Sequence, residues 1–266
     1  MLLVISPAKT LDFTPVDPAL PVTMPEMKKD TNALAAVAKT LRANDLKRLM
    51  DISDALADLN VERFKTFRLR GEAEGELQAA FAFAGDVYDG LDARTLDTDG
   101  LNWAQAHLRI LSGLYGLLRP MDRIQPYRLE MGVRLKTERG ASLYDFWGDR
   151  PAKALNKAAV GQVDPTLINL ASQEYFGAVD AKALTLPVVT CHFKEEKPGS
   201  GPQIVSFFAK RARGRMARYA IDGRIDRAEG LKGFDADGYT YRADLSTERD
   251  WVFTRSYQEH AAARPT

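Results

Sequence analysis

Four apolar residues in succession, Leu2-Leu3-Val4-Ile5, end abruptly at Ser6-Pro7. A short unbroken run with β-branched members predicts a strand covered on both faces, near the centre of a sheet. Pro15, Pro18, Pro21 and Pro25 then exclude both helix and inner strand and predict an extended surface crossing. Across residues 31–84 apolar positions recur at helical spacing. Leu34, Val37, Ala38 and Leu41 share one face, Leu46, Leu49 and Met50 continue it, and Leu77, Ala80, Phe81 and Ala84 close it.

The texture changes beyond Asp86. Leu108-Arg109-Ile110-Leu111 reads as a strand before the glycine-rich Ser112-Gly113-Leu114-Tyr115-Gly116, with a short helix as the alternative. Residues 143–159 read as helix broken at Pro151. Residues 166–170 and 186–190 read as strands flanking a short helical segment around Glu174. A strong helix follows Ser206 and runs to about Gly223, and Tyr239-Thr240-Tyr241 with Trp251-Val252-Phe253 predict a terminal antiparallel pair. Strands alternating with helices predict a mixed α/β (α+β) fold. A single compact domain over residues 1–266, with a mixed sheet and a helical insertion at about 31–84, fits the pattern.

Composition narrows the function classes. The 266 residues carry 37 Lys+Arg against 36 Asp+Glu, a formal charge of +1, so nothing pulls the whole molecule toward a polyanion or a membrane. Anion binding must come from local clustering. One cysteine, Cys191, can neither close an intrachain disulfide nor build a thiolate metal site. The opening residues lack a basic region and meet Pro7 early, and no run approaches a membrane span, so a cytoplasmic protein is expected.

Two basic clusters stand out. After Ser206 come Lys210, Arg211, Arg213, Arg215 and Arg218, with Arg211, Arg215 and Arg218 on one face beside the apolar stripe Ala209, Ala212, Met216 and Tyr219. Solvated ion pairs with Asp222 and Asp226, or anion binding, both explain such a row. Gly214 in mid-helix points to packing or a close approach. Arg109, Arg119, Arg123, Arg128 and Arg134 surround proline-stiffened turns suited either to bidentate phosphate or carboxylate recognition, or to ion pairs with Asp122, Glu130 and Glu138. Ser6-Pro7-Ala8-Lys9-Thr10 places a lysine and two hydroxyls past the C-terminal end of a buried strand, where open α/β sheets bind ligands, although the glycines of a phosphate loop are missing. Asn169, Ser172 and Glu174 stand at a second strand end, to bind a ligand or to cap a helix.

Residues 46–57 predict two helices joined by a tight turn, with Ser53 or Asp51 as the second N-cap. Leu46, Leu49, Ile52 and Ala57 sit as in the helix-hairpin-helix DNA-binding motif, which this segment resembles, with Asp51 and Ser53 where that motif usually has glycine. His107, His192 and His260 have no ligand spacing, so no metal or other cofactor is expected.

Six longer words fix a resemblance. Ile5-Ser6-Pro7-Ala8-Lys9-Thr10-Leu11, Leu111-Ser112-Gly113-Leu114-Tyr115-Gly116-Leu117-Leu118-Arg119-Pro120, Pro126-Tyr127-Arg128-Leu129-Glu130-Met131-Gly132, Leu143-Tyr144-Asp145-Phe146-Trp147-Gly148, Ile168-Asn169-Leu170-Ala171-Ser172 and Phe208-Ala209-Lys210-Arg211-Ala212-Arg213-Gly214 together closely resemble the YaaA peroxide-stress family over residues 1 to about 255. The resemblance implies a cytosolic bacterial protein that lowers available intracellular iron under peroxide stress. It further implies one mixed α/β domain with a helix-hairpin-helix element and a positively charged cleft that binds double-stranded DNA independently of sequence. On that reading Lys9, Arg109, Arg119, Arg128, Lys210, Arg211 and Arg215 line or flank the cleft, with Ser53 and Asp54 at the hairpin. The alternative is an enzyme acting on a small phosphorylated or carboxylated substrate in the same basic pocket, with Ser6, Lys9, Tyr115, Arg119, Arg128, Asn169, Ser172 and Glu174 converging.

Overall fold

The apolar run at the start of the chain is the hub of the sheet. A computed structural model describes residues 1–17, 19–69, 75–197 and 199–257, so Pro18 and His260 fall outside the described residues. Its main sheet has seven strands: β1 (Leu2–Ile5), β2 (Leu108–Ser112), β3 (Gly116–Leu118), β4 (Leu167–Leu170), β5 (Val188–Glu196), β6 (Thr240–Tyr241) and β7 (Asp250–Ser256), in the order β6-β7-β5-β4-β1-β2-β3. Strand β1 pairs in parallel on both edges, Val4 standing opposite Arg109 of β2 and Asn169 of β4. All four of its residues are buried, as the unbroken apolar pattern requires. Strands β5 and β7 extend the parallel set, while β3 and β6 close the two ends in antiparallel fashion, so the sheet is mixed.

Parallel neighbours need long crossovers, and these carry the helices. In chain order they are α1 (Lys28–Ala38), α2 (Ala43–Met50), α3 (Asp54–Thr66), α4 (Asp86–Leu91), α5 (Thr98–His107), α6 (Leu143–Trp147), α7 (Arg150–Ala158), α8 (Gln173–Phe176) and α9 (Ser206–Asp222). The fold is thus a mixed α/β domain around one core, with Trp147, Tyr115 and Phe193 among its largest fully buried side chains. Among the described residues no helix is long and apolar enough to cross a membrane.

Two local expectations are revised. The helix expected across Leu77, Ala80, Phe81 and Ala84 contracts to one turn, Ala79–Ala82, between two-residue strands. Its residues are buried all round rather than along one stripe, and the flanking backbone pairs with 123–124 and 10–11 instead. Residues 143–159 break at Gly148, whose φ is +52°, and not at Pro151, which sits in the first turn of α7 where its missing N–H costs nothing. Strand β7 takes β6 as its antiparallel partner as expected, yet its other edge runs parallel to β5.

Helices α4 and α9 touch backbone to backbone. A Cβ on Gly214 would lie 1.8 Å from the carbonyl oxygen of Val87, and one on Gly90 would lie 2.2 Å from that of Arg211. Gly214 is therefore a packing residue, and its place in α9 lends nothing to anion binding. Gly214→Ala is expected to destabilise the fold by at least about 3 kcal/mol, lowering Tm by roughly 6 °C or more in thermal unfolding. An unchanged Tm would contradict this backbone contact.

Candidate functional site

The parallel strands dictate where distant loops meet. From β1 the chain proceeds to β2 on one side, whereas from β4 it proceeds to β5 on the other. The C-terminal ends of β1 and β4 therefore flank a switch point, the usual ligand crevice of an open α/β sheet. Ser6 and Ser172 lie at those two ends and lock them together. The Ser172 N–H donates to Ser6 Oγ at 2.8 Å, and Ser6 Oγ donates to Ser172 Oγ at 3.3 Å. The Ser6 carbonyl also accepts a hydrogen bond from the Tyr88 hydroxyl of α4 at 3.1 Å.

A cavity of about 480 Å³ opens beside this lock, walled by residues 6–10, 84–87, Ser172, Glu174, Lys210 and Arg213. Five expected site residues, Ser6, Lys9, Ser172, Glu174 and Lys210, come together here. Arg128 joins at the rim through Glu130, whose carboxylate takes Lys9 at 2.9 Å and Arg128 at 3.1 Å. Glu174 is held in place by the Gly132 N–H, 2.9 Å from its Oε1. Arg213, present in the basic run but not singled out from it, projects into the same cavity, and burial lowers its proton affinity. It makes no hydrogen bond or ion pair among the described residues. The available signal was spacing: Lys210 and Arg213, three apart on α9, share a helix face.

The other expected residues lie elsewhere. Arg109 and Arg119 line a separate crevice of about 110 Å³. Arg109 donates to the carbonyls of Leu108 and Gln105, and Arg119 is gripped by Asp122 at 2.8 Å and by Glu26 at 3.2 Å. Tyr115 is a core residue, fully buried, its hydroxyl accepting the Gln125 N–H. Asn169 turns back on its own strand end, accepting the Ala171 N–H at 2.9 Å. Arg211 is exposed on α9, and Arg215 lies 3.7 Å from Asp237. The histidines do structural work: His107 Nδ1 meets the Met1 carbonyl and the ring stacks on Trp103, while His192 pairs with Asp250. No group of three or more metal-ligating side chains converges among the described residues.

A second basic surface borders the helical hairpin α2–α3. Asp51 adopts a left-handed conformation at the turn (φ +49°), a conformation in which glycine is the usual residue, and Ser53 caps α3 by accepting the Leu56 N–H. Asp54 pairs with Lys47 at 2.6 Å. Beside α2 runs an open groove of about 450 Å³, floored by Val37, Leu41 and Leu49 and edged by Arg48, Arg134 and Lys136. Arg48 is satisfied by Asp45. Arg134 and Lys136 are exposed and form no ion pair among the described residues, while Val133 and Leu135 between and before them are buried. That alternation, apolar inward and cationic outward, was visible in the sequence as a period of two.

A family model described as "Peroxide stress protein YaaA" matches residues 1–245 of the chain. A UPF0246 protein of Caulobacter sp. (strain K31) is 67% identical over 255 residues, covering 96% of this chain and 99% of that protein. UPF0246 proteins of Phenylobacterium zucineum and Ruegeria pomeroyi are 61% identical over 263 residues and 55% over 258, with coverage of 97% or more of both chains in each case.

The lone cysteine lies buried on β5, within electrostatic reach of Arg213. Its burial pushes the thiol up to about 12, so thiolate is scarce at neutral pH. Iodoacetamide at about pH 8 is expected to leave Cys191 untouched in the folded protein and to alkylate it in denaturant, read by intact mass. Ready alkylation of the folded chain would show that the strand opens more freely than its packing implies.

Proposed function

The chain belongs to the YaaA peroxide-stress family, and we propose that it acts in cytoplasmic peroxide defence by binding double-stranded DNA along the open groove beside the α2–α3 hairpin, as part of a response that lowers available iron. The observation that carries this reading is the pair of exposed cations Arg134 and Lys136, unpaired among the described residues, next to a tight helical hairpin. Phosphates are reached by such cations without base readout, so the contact is independent of sequence.

The hairpin plays a different part from that of a glycine-tipped one. Asp51 and Asp54 place carboxylates at its tip, where they repel phosphate, and Lys47 is already engaged by Asp54. The duplex is therefore held by the flank of α2 and the 133–136 segment, with the tip turned aside. Arg109 and Arg119, satisfied inside their own crevice, take no part.

Binding to a mixed-sequence duplex should fall with salt at a log–log slope of about 0.9 per phosphate neutralised. The double variant Arg134→Ala/Lys136→Ala is expected to lose about tenfold or more in affinity at low salt and to reduce that slope by roughly 1.8. Asp54→Asn, which frees Lys47, is expected to tighten binding. A fluorescence-anisotropy titration in which the double variant matches the parent in both affinity and slope would defeat the proposal.

A further inference from the structure

The cavity at the β1–β4 switch point is a different kind of place from the hairpin groove. Its volume of about 480 Å³ lies within the range of small-molecule sites, and its walls close around it more than those of the open hairpin groove, which suits a small ligand rather than a duplex. Three cations face it, and they differ in how far protein carboxylates satisfy them. Lys9 is held 2.9 Å from Glu130, and Lys210 comes only within 3.9 Å of Asp86. Arg213 has no hydrogen-bonding or ionic partner among the described residues. A guanidinium stripped of much of its water and given no counter-charge is costly, and an anion in the cavity would offset that cost.

The frame around it is stiff. Lys210 and Arg213 share a face of α9, whose backbone is pinned against α4 by the Gly90 and Gly214 contacts. Ser6 and Ser172 close the floor by bonding each other. In the same wall, Glu174 spends one oxygen on the Gly132 N–H, and its Oε2 takes no donor among the described residues.

We propose that this cavity binds a small phosphomonoester, its phosphate between Arg213 and Lys210 and its hydroxyl- or amino-bearing remainder against Glu174. The arginine fork matches two oxygens of a tetrahedral phosphate and the lysine meets a third, a division of labour that a flat monoanionic carboxylate uses less fully. The Glu174 carboxylate selects against a bare second phosphate and for a hydroxyl or amino donor. Such a ligand is a sugar phosphate or a mononucleotide by size and chemistry.

Isothermal titration calorimetry with inorganic phosphate, ribose 5-phosphate, AMP, adenosine and citrate separates the outcomes. Saturable binding of a phosphomonoester at about 1 mM or tighter, with none of adenosine, is expected. Arg213→Ala should weaken it about tenfold or more, and exposed Lys210→Ala, which leaves the packing of α9 intact, should weaken it in the same direction. Arg134→Ala/Lys136→Ala should leave it unchanged, so loss of duplex binding and loss of ester binding are told apart. Binding of citrate or inorganic phosphate alone, or ester binding indifferent to both Arg213→Ala and Lys210→Ala, would overturn the proposal.

Discussion

The burial of β1 between two parallel partners is the constraint from which the remaining architecture follows. A strand with no wet face and no free edge must be apolar throughout, and Leu2–Ile5 is. Its parallel neighbours must then be reached by crossovers, and the first of them runs from residue 6 to residue 107, carrying the hairpin, α4 and α5. Because the chain leaves β1 and β4 in opposite directions across the sheet, their C-terminal ends are left with a crevice between them. The bond from the Ser172 amide N–H to the Ser6 hydroxyl fixes that opening, and α9 roofs it only because Gly90 and Gly214 let two helix backbones meet.

Much of this was legible in the amino acids. An apolar quartet stopped by Ser-Pro identifies the central strand, because a fully buried strand tolerates no polar position. The same argument places Lys9 at a strand's ligand-bearing end. The hairpin is legible because Leu46, Leu49 and Ala57 are apolar helix positions on either side of a three-residue turn that carries Ile52. What pattern reading missed depends on partners remote in sequence. The contraction of the 77–84 helix is set by pairing with 123–124 and 10–11, which no local window contains. Tyr115, nominated with the polar loop residues of the enzyme alternative, is a core residue, its hydroxyl satisfied by the Gln125 N–H.

The charged residues teach the sharper lesson. Sequence grouped cations by density and folded them onto one wall; the structure distributes them over a cavity, a crevice and a groove. Density does not distinguish a paired charge from an open one. Arg119, with Asp122 and Glu26 against it, and Arg128, with Glu130, are largely balanced within the fold. Arg213, Arg134 and Lys136 carry no such partner among the described residues, and each was outside the set first nominated.

Near-neutral totals therefore conceal the property on which function turns. With 37 cations against 36 acids, about half of the positive side chains among the described residues find a carboxylate, and a paired surface cation contributes little to holding an external anion. Those left open gain value in proportion to how little water screens them. At the exposed groove, screening is strong, so binding there needs several contacts at once and weakens with salt. In the cavity, burial has already removed part of the water from Arg213, so one well-placed anion recovers more per contact and resists screening. The two surfaces thus suit ligands of different kinds: a long repeating polyanion outside, and a compact multiply charged group within.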